Sequence, residues 1–224
     1  MILIEKADVT GWEAAVRGMR NPMNSWGKSD SKWQYGTGDF NDELTYYVGE
    51  KDIALMKQLA VAGSDHRKVL RFITVTADIT APLYWWKEYD TYKVGTVANS
   101  CSTMHKIQAK EFTMDDFSHE HLIDYDLPDG TKIGWRTVME TLISTLNTAR
   151  DLFLANKDKT YWWQMIQLLP SSYNQKRTVL LNYEVLRNMY HARKNHKLDE
   201  WHDFCAWVEG LPFGHLITVK EDAG

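Results

Sequence analysis

The sequence predicts an α+β fold, and three features carry that expectation. Residues 67–80, RKVLRFITVTADIT, are rich in Val, Ile, Thr and Phe. Within them Val69, Arg71, Ile73, Val75, Ala77 and Ile79 alternate with Leu70, Phe72, Thr74, Thr76, Asp78 and Thr80, the signature of a strand with two distinct faces. Helical-period segments outnumber strand-like runs, and strands are not regularly followed by helices, which argues against a doubly wound sheet.

Taken in order, MILIEKADV reads as a first strand. GWEAAVRGMRN places Trp12, Ala15, Val16 and Met19 at helical spacing, and Pro22 stops it. Residues 23–49 are rich in Gly, Ser and Asp with interspersed aromatics and read as one long loop, a kind of segment that often serves function. Residues 50–63 form an amphipathic helix ended by Gly63. The strand over 67–80 ends at Pro82, which can start a helix over 81–90. A polar loop follows, and DYDLPDGTKIG reads as a turn. Residues 135–158 form a long helix with Val138, Leu142, Leu146, Leu152 and Phe153 on one side, and residues 160–170 a shorter one closed by Pro170. Residues 172–183 look extended, and two helices over 184–195 and 198–211 complete the chain. No linker, repeat or low-complexity tract interrupts the 224 residues, so 1–224 is expected to be a single domain.

Composition narrows the function. With 44% apolar and 25% charged residues the chain is ordinary for a globular protein, but 10 Trp, 11 Tyr and 7 Phe are many. Aromatics fill cores, and they also stack on flavins and bases. A net charge of −4 disfavours duplex nucleic-acid binding, which needs surplus cations. Two cysteines, Cys101 and Cys205, make no disulfide framework. The N-terminus lacks a signal-peptide pattern and no apolar run approaches ~20 residues, so a cytoplasmic protein without membrane contact is expected.

Several constellations bear on chemistry. His119 and His121, and His191, His196 and His202, lack the spacing of metal ligands, so no metal is expected. Cys101 lies near Lys93, His105 and Lys106, cations of the kind that activate a thiolate, although a small side chain packed in a loop is the simpler reading. Hydrolase-elbow, Walker and Rossmann motifs are missing. The stretch WWKEYDTYKVGTVANSCSTMHK, residues 85–106, offers Lys93, several hydroxyls and backbone N–H groups near Gly95. Such a loop suits a phosphate or a flavin diphosphate, or simply connects two elements. Lys176, Arg177, Arg187, Arg193 and Lys194 add charge, and Arg193 has the fork for bidentate phosphate contact, unless these residues make a solvated helix face.

Two blocks of the chain resemble the flavin-dependent thymidylate synthases, the ThyX family. Residues 72–102 resemble the family's strand, its A-P step at Ala81 and Pro82, and the helix entering the signature R-H-R, seven residues, S. Here Thr91, Tyr92 and Lys93 stand in place of R-H-R, and the active-site serine falls on Cys101, or on Ser102 with one inserted residue. The family's glutamate–histidine pair falls on Arg71 and Phe72. Residues 168–207 resemble the family's L-P, extended segment, N-x-R-S-L-x-N-F-x-x-x-R and following helix. Leu169, Pro170, Asn182, Leu186, Asn188 and Arg193 fall in register, and His196 and Glu200 follow after a one-residue deletion. Glu184 stands where the family has an arginine.

The resemblance covers about two thirds of the chain, with no motif intact. It implies a central, mainly antiparallel sheet flanked by helices and a homotetramer with FAD at subunit interfaces. It implies FAD contacts from Asn182, Asn188 and Lys93, and nucleotide contacts from Arg193, Cys101 and Ser102. The implied reaction is reductive methylation of dUMP or a related nucleotide with methylenetetrahydrofolate and NADPH. The lost arginines matter, because a charge-assisted contact is worth about 1.5–3 kcal/mol. A catalytically degenerate nucleotide-binding or regulatory protein, and an interaction protein using its aromatics for assembly, are the competing expectations.

Overall fold

A computed structural model of the chain describes residues 1–35 and 44–220. In chain order these form β1 (Leu3–Thr10), α1 (Trp12–Arg20), β2 (Lys32–Tyr35), β3 (Leu44–Tyr47), α2 (Glu50–Val61), β4 (Thr74–Pro82), α3 (Leu83–Tyr89) and β5 (Val97–Ser100). Then come β6 (Asp124–Asp126), β7 (Lys132–Gly134), α4 (Trp135–Asn156), α5 (Lys159–Leu168), β8 (Asn174–Asn182), α6 (Tyr183–Arg193), α7 (Asp199–Glu209) and α8 (His215–Thr218). An antiparallel four-stranded sheet has the order β1-β4-β8-β5, and β2–β3 and β6–β7 are antiparallel hairpins. The expected α+β class with a mainly antiparallel sheet is what the chain adopts.

Two compact units share this course. One comprises Met1–Ile4, Asp78–Thr91 and Ala98–Thr178, and the other the described residues of Glu5–Ala77, Tyr92–Val97 and Val179–Gly224. In the first, α4 and α5 close over Ile107, Phe112, Phe117, Leu146, Ala149 and Met165. On α4, Leu142, Leu146 and Phe153 pack on this core as expected, joined by Met139 and Ile143, whereas Val138 and Leu152 of the expected stripe are exposed. In α3, Trp85, Trp86 and Tyr89 form a buried ring cluster with centroids 4.9–5.3 Å apart.

In the second unit, α1, α2, α6 and α7 bury Val16, Met56, Leu186, Met189, Trp201 and Phe204. Gly11 caps α1 with φ of 91°, and a Cβ there would run into the carbonyl oxygen of Phe72, so only glycine fits. Asp52, in the first turn of α2, is fully buried and paired with Arg20, Nη2 to Oδ1 at 2.6 Å. Its carboxylate also accepts from Arg20 Nε at 2.6 Å, Ser29 Oγ at 2.5 Å and Ser31 Oγ at 2.6 Å. Asp30 accepts from the backbone N–H of Lys51 and Asp52, capping the start of α2. These bonds strap residues 29–31 to α2.

Three further expectations need correction. Residues 23–49 are not one loop: β2 and β3 pair within them, while residues 36–43 lie outside the described residues. Trp33, Tyr35 and Tyr47 of that hairpin are exposed. The strand expected over 67–80 begins only at Thr74, because Arg67–Arg71 coil as a 3-10 turn. A polar connector was one reading of residues 91–106, yet Val97–Ser100 join the sheet as β5.

Candidate functional site

The spaced residues Asn182, Asn188 and Arg193 lie at the end of β8 and along α6. Asn182 ends β8 and caps α6, its Oδ1 accepting from the Val185 N–H at 2.9 Å. Its amide nitrogen faces the turn that carries Lys93. A Cβ at Gly95, where φ is 78°, would lie 3.2 Å from Asn182 Nδ2 and 3.1 Å from Val185, so glycine lets this turn approach α6 closely. Thr96 Oγ1 donates to the Tyr92 carbonyl at 2.7 Å and closes the turn, with Lys93 exposed. Asn182 and the start of α6 thus meet this turn at Gly95, two residues beyond Lys93.

Arg193, at the end of α6, donates through Nε to the Tyr92 hydroxyl at 2.8 Å. Its guanidinium carbon lies 5.0 Å from the Trp201 ring centroid and 5.5 Å from that of Tyr92. Cation–π attraction and the hydrogen bond hold the charge where α7 meets the Lys93 turn. The sequence names Tyr92 only as a residue in place of R-H-R, and nothing in it points to Trp201 or to their pairing with Arg193. Their partnership spans more than 100 residues, which no local pattern reports.

Asn188 is exposed on α6, one turn beyond Glu184. It lines a cavity of about 440 Å³ with Arg67, Arg187, His191, Ala192 and Lys220. Glu184 is buried and accepts from both Arg67, at 3.2 Å, and Arg71. Burial alone would raise its pKa, but the hydrogen bonds and charges of Arg71 and Arg67 outweigh that and hold the carboxyl below its ordinary value. The 3-10 turn suits this double pairing. Residues four apart are roughly 13 Å apart along a strand but about 8 Å apart along a 3-10 turn, so one carboxylate reaches both arginines.

Arg71 and Glu184, which the resemblance sets at the family's glutamate and arginine positions, are paired with each other in this chain.

Cys101 and Ser102 belong to the other unit, just past β5. The Cys101 thiol is exposed, and its backbone is pinned to β8: its N–H donates to the Lys176 carbonyl at 2.9 Å, and its carbonyl accepts from Gln175 Nε2 at 2.8 Å. Ser102 Oγ accepts from the N–H groups of Met104 and His105 at 3.2 and 3.0 Å, organising the following turn. Cys205, by contrast, is buried in α7, and burial pushes its thiol up to about 11.

The other basic candidates have structural partners. Lys176 lies 3.3 Å from Asp78. Arg177 lies 4.2 Å over the Trp86 ring and donates to Asp90. Arg187 donates to the carbonyls of Ile217 and Val219. Lys194 Nζ lies 5.8 Å from the Tyr190 ring centroid. The histidines serve separately: His191 contacts the Val219 carbonyl at 3.2 Å, and His202 the His196 carbonyl at 2.7 Å. Among the described residues no group of three or more His, Cys, Asp and Glu is placed to hold a metal, and no helix is long and apolar enough to cross a membrane.

Solved structures share this fold. The flavin dependent thymidylate synthase ThyX from Helicobacter pylori, complexed with FAD and dUMP, matches with a TM-score of 0.66 and 16% identity, covering 98% of this chain and 99% of that one. A second structure of that ThyX with FAD and dUMP gives 0.64 at 16% identity over 96% of each chain. The UMP/dUMP methylase PolB from Streptomyces cacaoi, bound with 5-Br dUMP, gives 0.57 at 16% identity, covering 94% of this chain and 89% of that one. At such identity the likeness is one of fold. No protein-family model matches the chain, and no curated protein matches its sequence.

Proposed function

We propose that this chain is a flavin-dependent protein of the thymidylate synthase type, acting on dUMP or a related pyrimidine nucleotide. The observation that carries the reading is Arg193. It occupies the position that the family resemblance gives to a nucleotide-contacting arginine, and it is held between Tyr92 and Trp201. The fold shared with proteins crystallised with FAD and dUMP, and with a UMP/dUMP methylase, supports it.

The residues fit an anionic, planar cofactor. Asn188 presents an exposed amide beside a cavity rich in cations, and Gly95 lets the Lys93 turn approach Asn182 closely. Asn182, Asn188 and Lys93 would hold FAD, which when bound supplies hydride chemistry. Arg193 would orient the nucleotide and neutralise its phosphate. Cys101 and Ser102 are nucleotide contacts on the resemblance alone. With the full family activity, methylenetetrahydrofolate would be the one-carbon donor and NADPH the reductant, in a cytoplasmic homotetramer.

A second reading has its own observation. Thr91, Tyr92 and Lys93 replace R-H-R, and the Tyr92 hydroxyl serves to hold Arg193. That suits a nucleotide-binding protein without turnover. Titrating dUMP, UMP, dTMP and FAD by calorimetry, then assaying dUMP methylation, separates the two. Arg193→Ala is expected to weaken nucleotide binding roughly 10- to 100-fold, from the loss of a charge-assisted fork. Arg193→Lys should recover only part, because the charge returns without the fork. Equal nucleotide affinity in wild type and Arg193→Ala would overturn the assignment.

A further inference from the structure

The cavity beside Asn188 is built from three separate pieces of one unit. Arg67 comes from the 3-10 turn, Arg187, Asn188, His191 and Ala192 from α6, and Lys220 from the segment after α8. Arg187 is only 3% exposed and donates to the carbonyls of Ile217 and Val219, while His191 Nε2 contacts the same Val219 carbonyl at 3.2 Å. These bonds clasp the segment after α8 and set Lys220 at the cavity.

Three permanent cations and one titratable imidazole thus face about 440 Å³ in a chain whose net charge is −4. The carboxylate of Glu184, bonded to Arg67, is shared with Arg71. Gathering like charges costs free energy, and a bound anion offsets that cost. The neutral form of His191 is already favoured, by burial first and then by Arg187 and Lys194. Guanidinium, ammonium and amide donors together are the set that recognises phosphate oxygens.

We propose that this cavity binds a phosphate group of a nucleotide, with Arg67, Lys220 and Asn188 as contacts and Arg187 as the positioning residue that fixes the tail. None of Arg67, Arg187 and Lys220 was matched to the family's motifs. They replace, in this chain, part of the positive charge missing at Thr91–Lys93. Identifying the ligand as a nucleotide rests on the function proposed above, whereas anion binding does not.

Calorimetric titration of the full chain with inorganic pyrophosphate, ADP, FAD and dUMP tests this, with Lys220→Glu as the variant. Lys220 is exposed, so the substitution should leave folding intact, checked by an unchanged melting temperature. Pyrophosphate is expected to bind the wild type, to weaken with added salt, and to lose roughly tenfold or more in affinity in the variant. A matching loss for ADP and FAD assigns the site to a cofactor diphosphate, and a matching loss for dUMP assigns it to the substrate phosphate. No pyrophosphate binding, or equal affinity in both proteins, overturns the proposal. Pyrophosphate binding without any FAD or dUMP binding would leave the anion site standing and remove the proposed function. FAD and dUMP binding that ignores Lys220→Glu, without pyrophosphate binding, would do the reverse.

Discussion

Replacing Asp52 with alanine is expected to cost about 3–5 kcal/mol of folding free energy, the range for breaking a buried ion pair from one side. The carboxylate is fully buried and holds Arg20, Ser29 and Ser31 together. Without it, the Arg20 guanidinium, itself 5% exposed, keeps its charge and loses that partner. Asp52→Asn keeps the volume but not the charge, and should fall between wild type and alanine. Burial by itself would raise the Asp52 pKa, yet hydrogen bonds from Ser29, Ser31 and Arg20, with Arg20's charge, hold it below its ordinary 3.8. A carboxylate with a lowered folded pKa stabilises fully above its unfolded value and loses that contribution as pH falls through the lowered one. The stability gap between wild type and Asp52→Asn should therefore be full near neutral pH and shrink below pH 3.8. Urea unfolding across this range measures it, and an alanine variant within about 1 kcal/mol of wild type would refute the hub role.

Glu184→Ala should be nearly as costly, about 3 kcal/mol, because Arg67 is mostly buried beside it. The share due to Arg71 should be smaller, about 0–1 kcal/mol, since its side chain is 52% exposed and water screens the pair. Glu184→Arg should be worse than Glu184→Ala, because it sets a third guanidinium beside Arg67 and Arg71. Adding Arg71→Glu to Glu184→Arg should recover part of the loss by reinstating a pair with the signs reversed. If Glu184→Arg alone proved neutral or stabilising, the Glu184 carboxylate would have no structural role between the two arginines.

The paired departures also show what the sequence could reveal. Alternation through residues 67–80 pointed to a strand, and from Thr74 onward it is one. Before that point the same residues coil as a 3-10 turn, and Glu184 accepts from an arginine at each end of it, contacts distant in the chain that no local pattern reports. Along α4 the periodicity identifies Leu142, Leu146 and Phe153, but apolar residues also occupy a second face, and packing against Phe112, Phe117 and Met165 leaves Val138 and Leu152 outside. The strands β2, β3, β5, β6 and β7 are three or four residues long, too short to carry a period. Asn182, Asn188 and Arg193 stand out in the sequence as a spaced motif, and Tyr92 only as the residue in place of the signature histidine. The contacts that Tyr92, Trp201, Arg67 and Lys220 make are distant in the chain, which no local pattern reports.

Cofactor uptake tests the central claim most directly. The purified protein, stripped of bound small molecules, is titrated with FAD and followed by visible absorption and flavin fluorescence. Saturable binding is expected, with the flavin spectrum perturbed and the affinity reduced in Asn188→Ala. No uptake of FAD by the folded protein would contradict a flavin-dependent function.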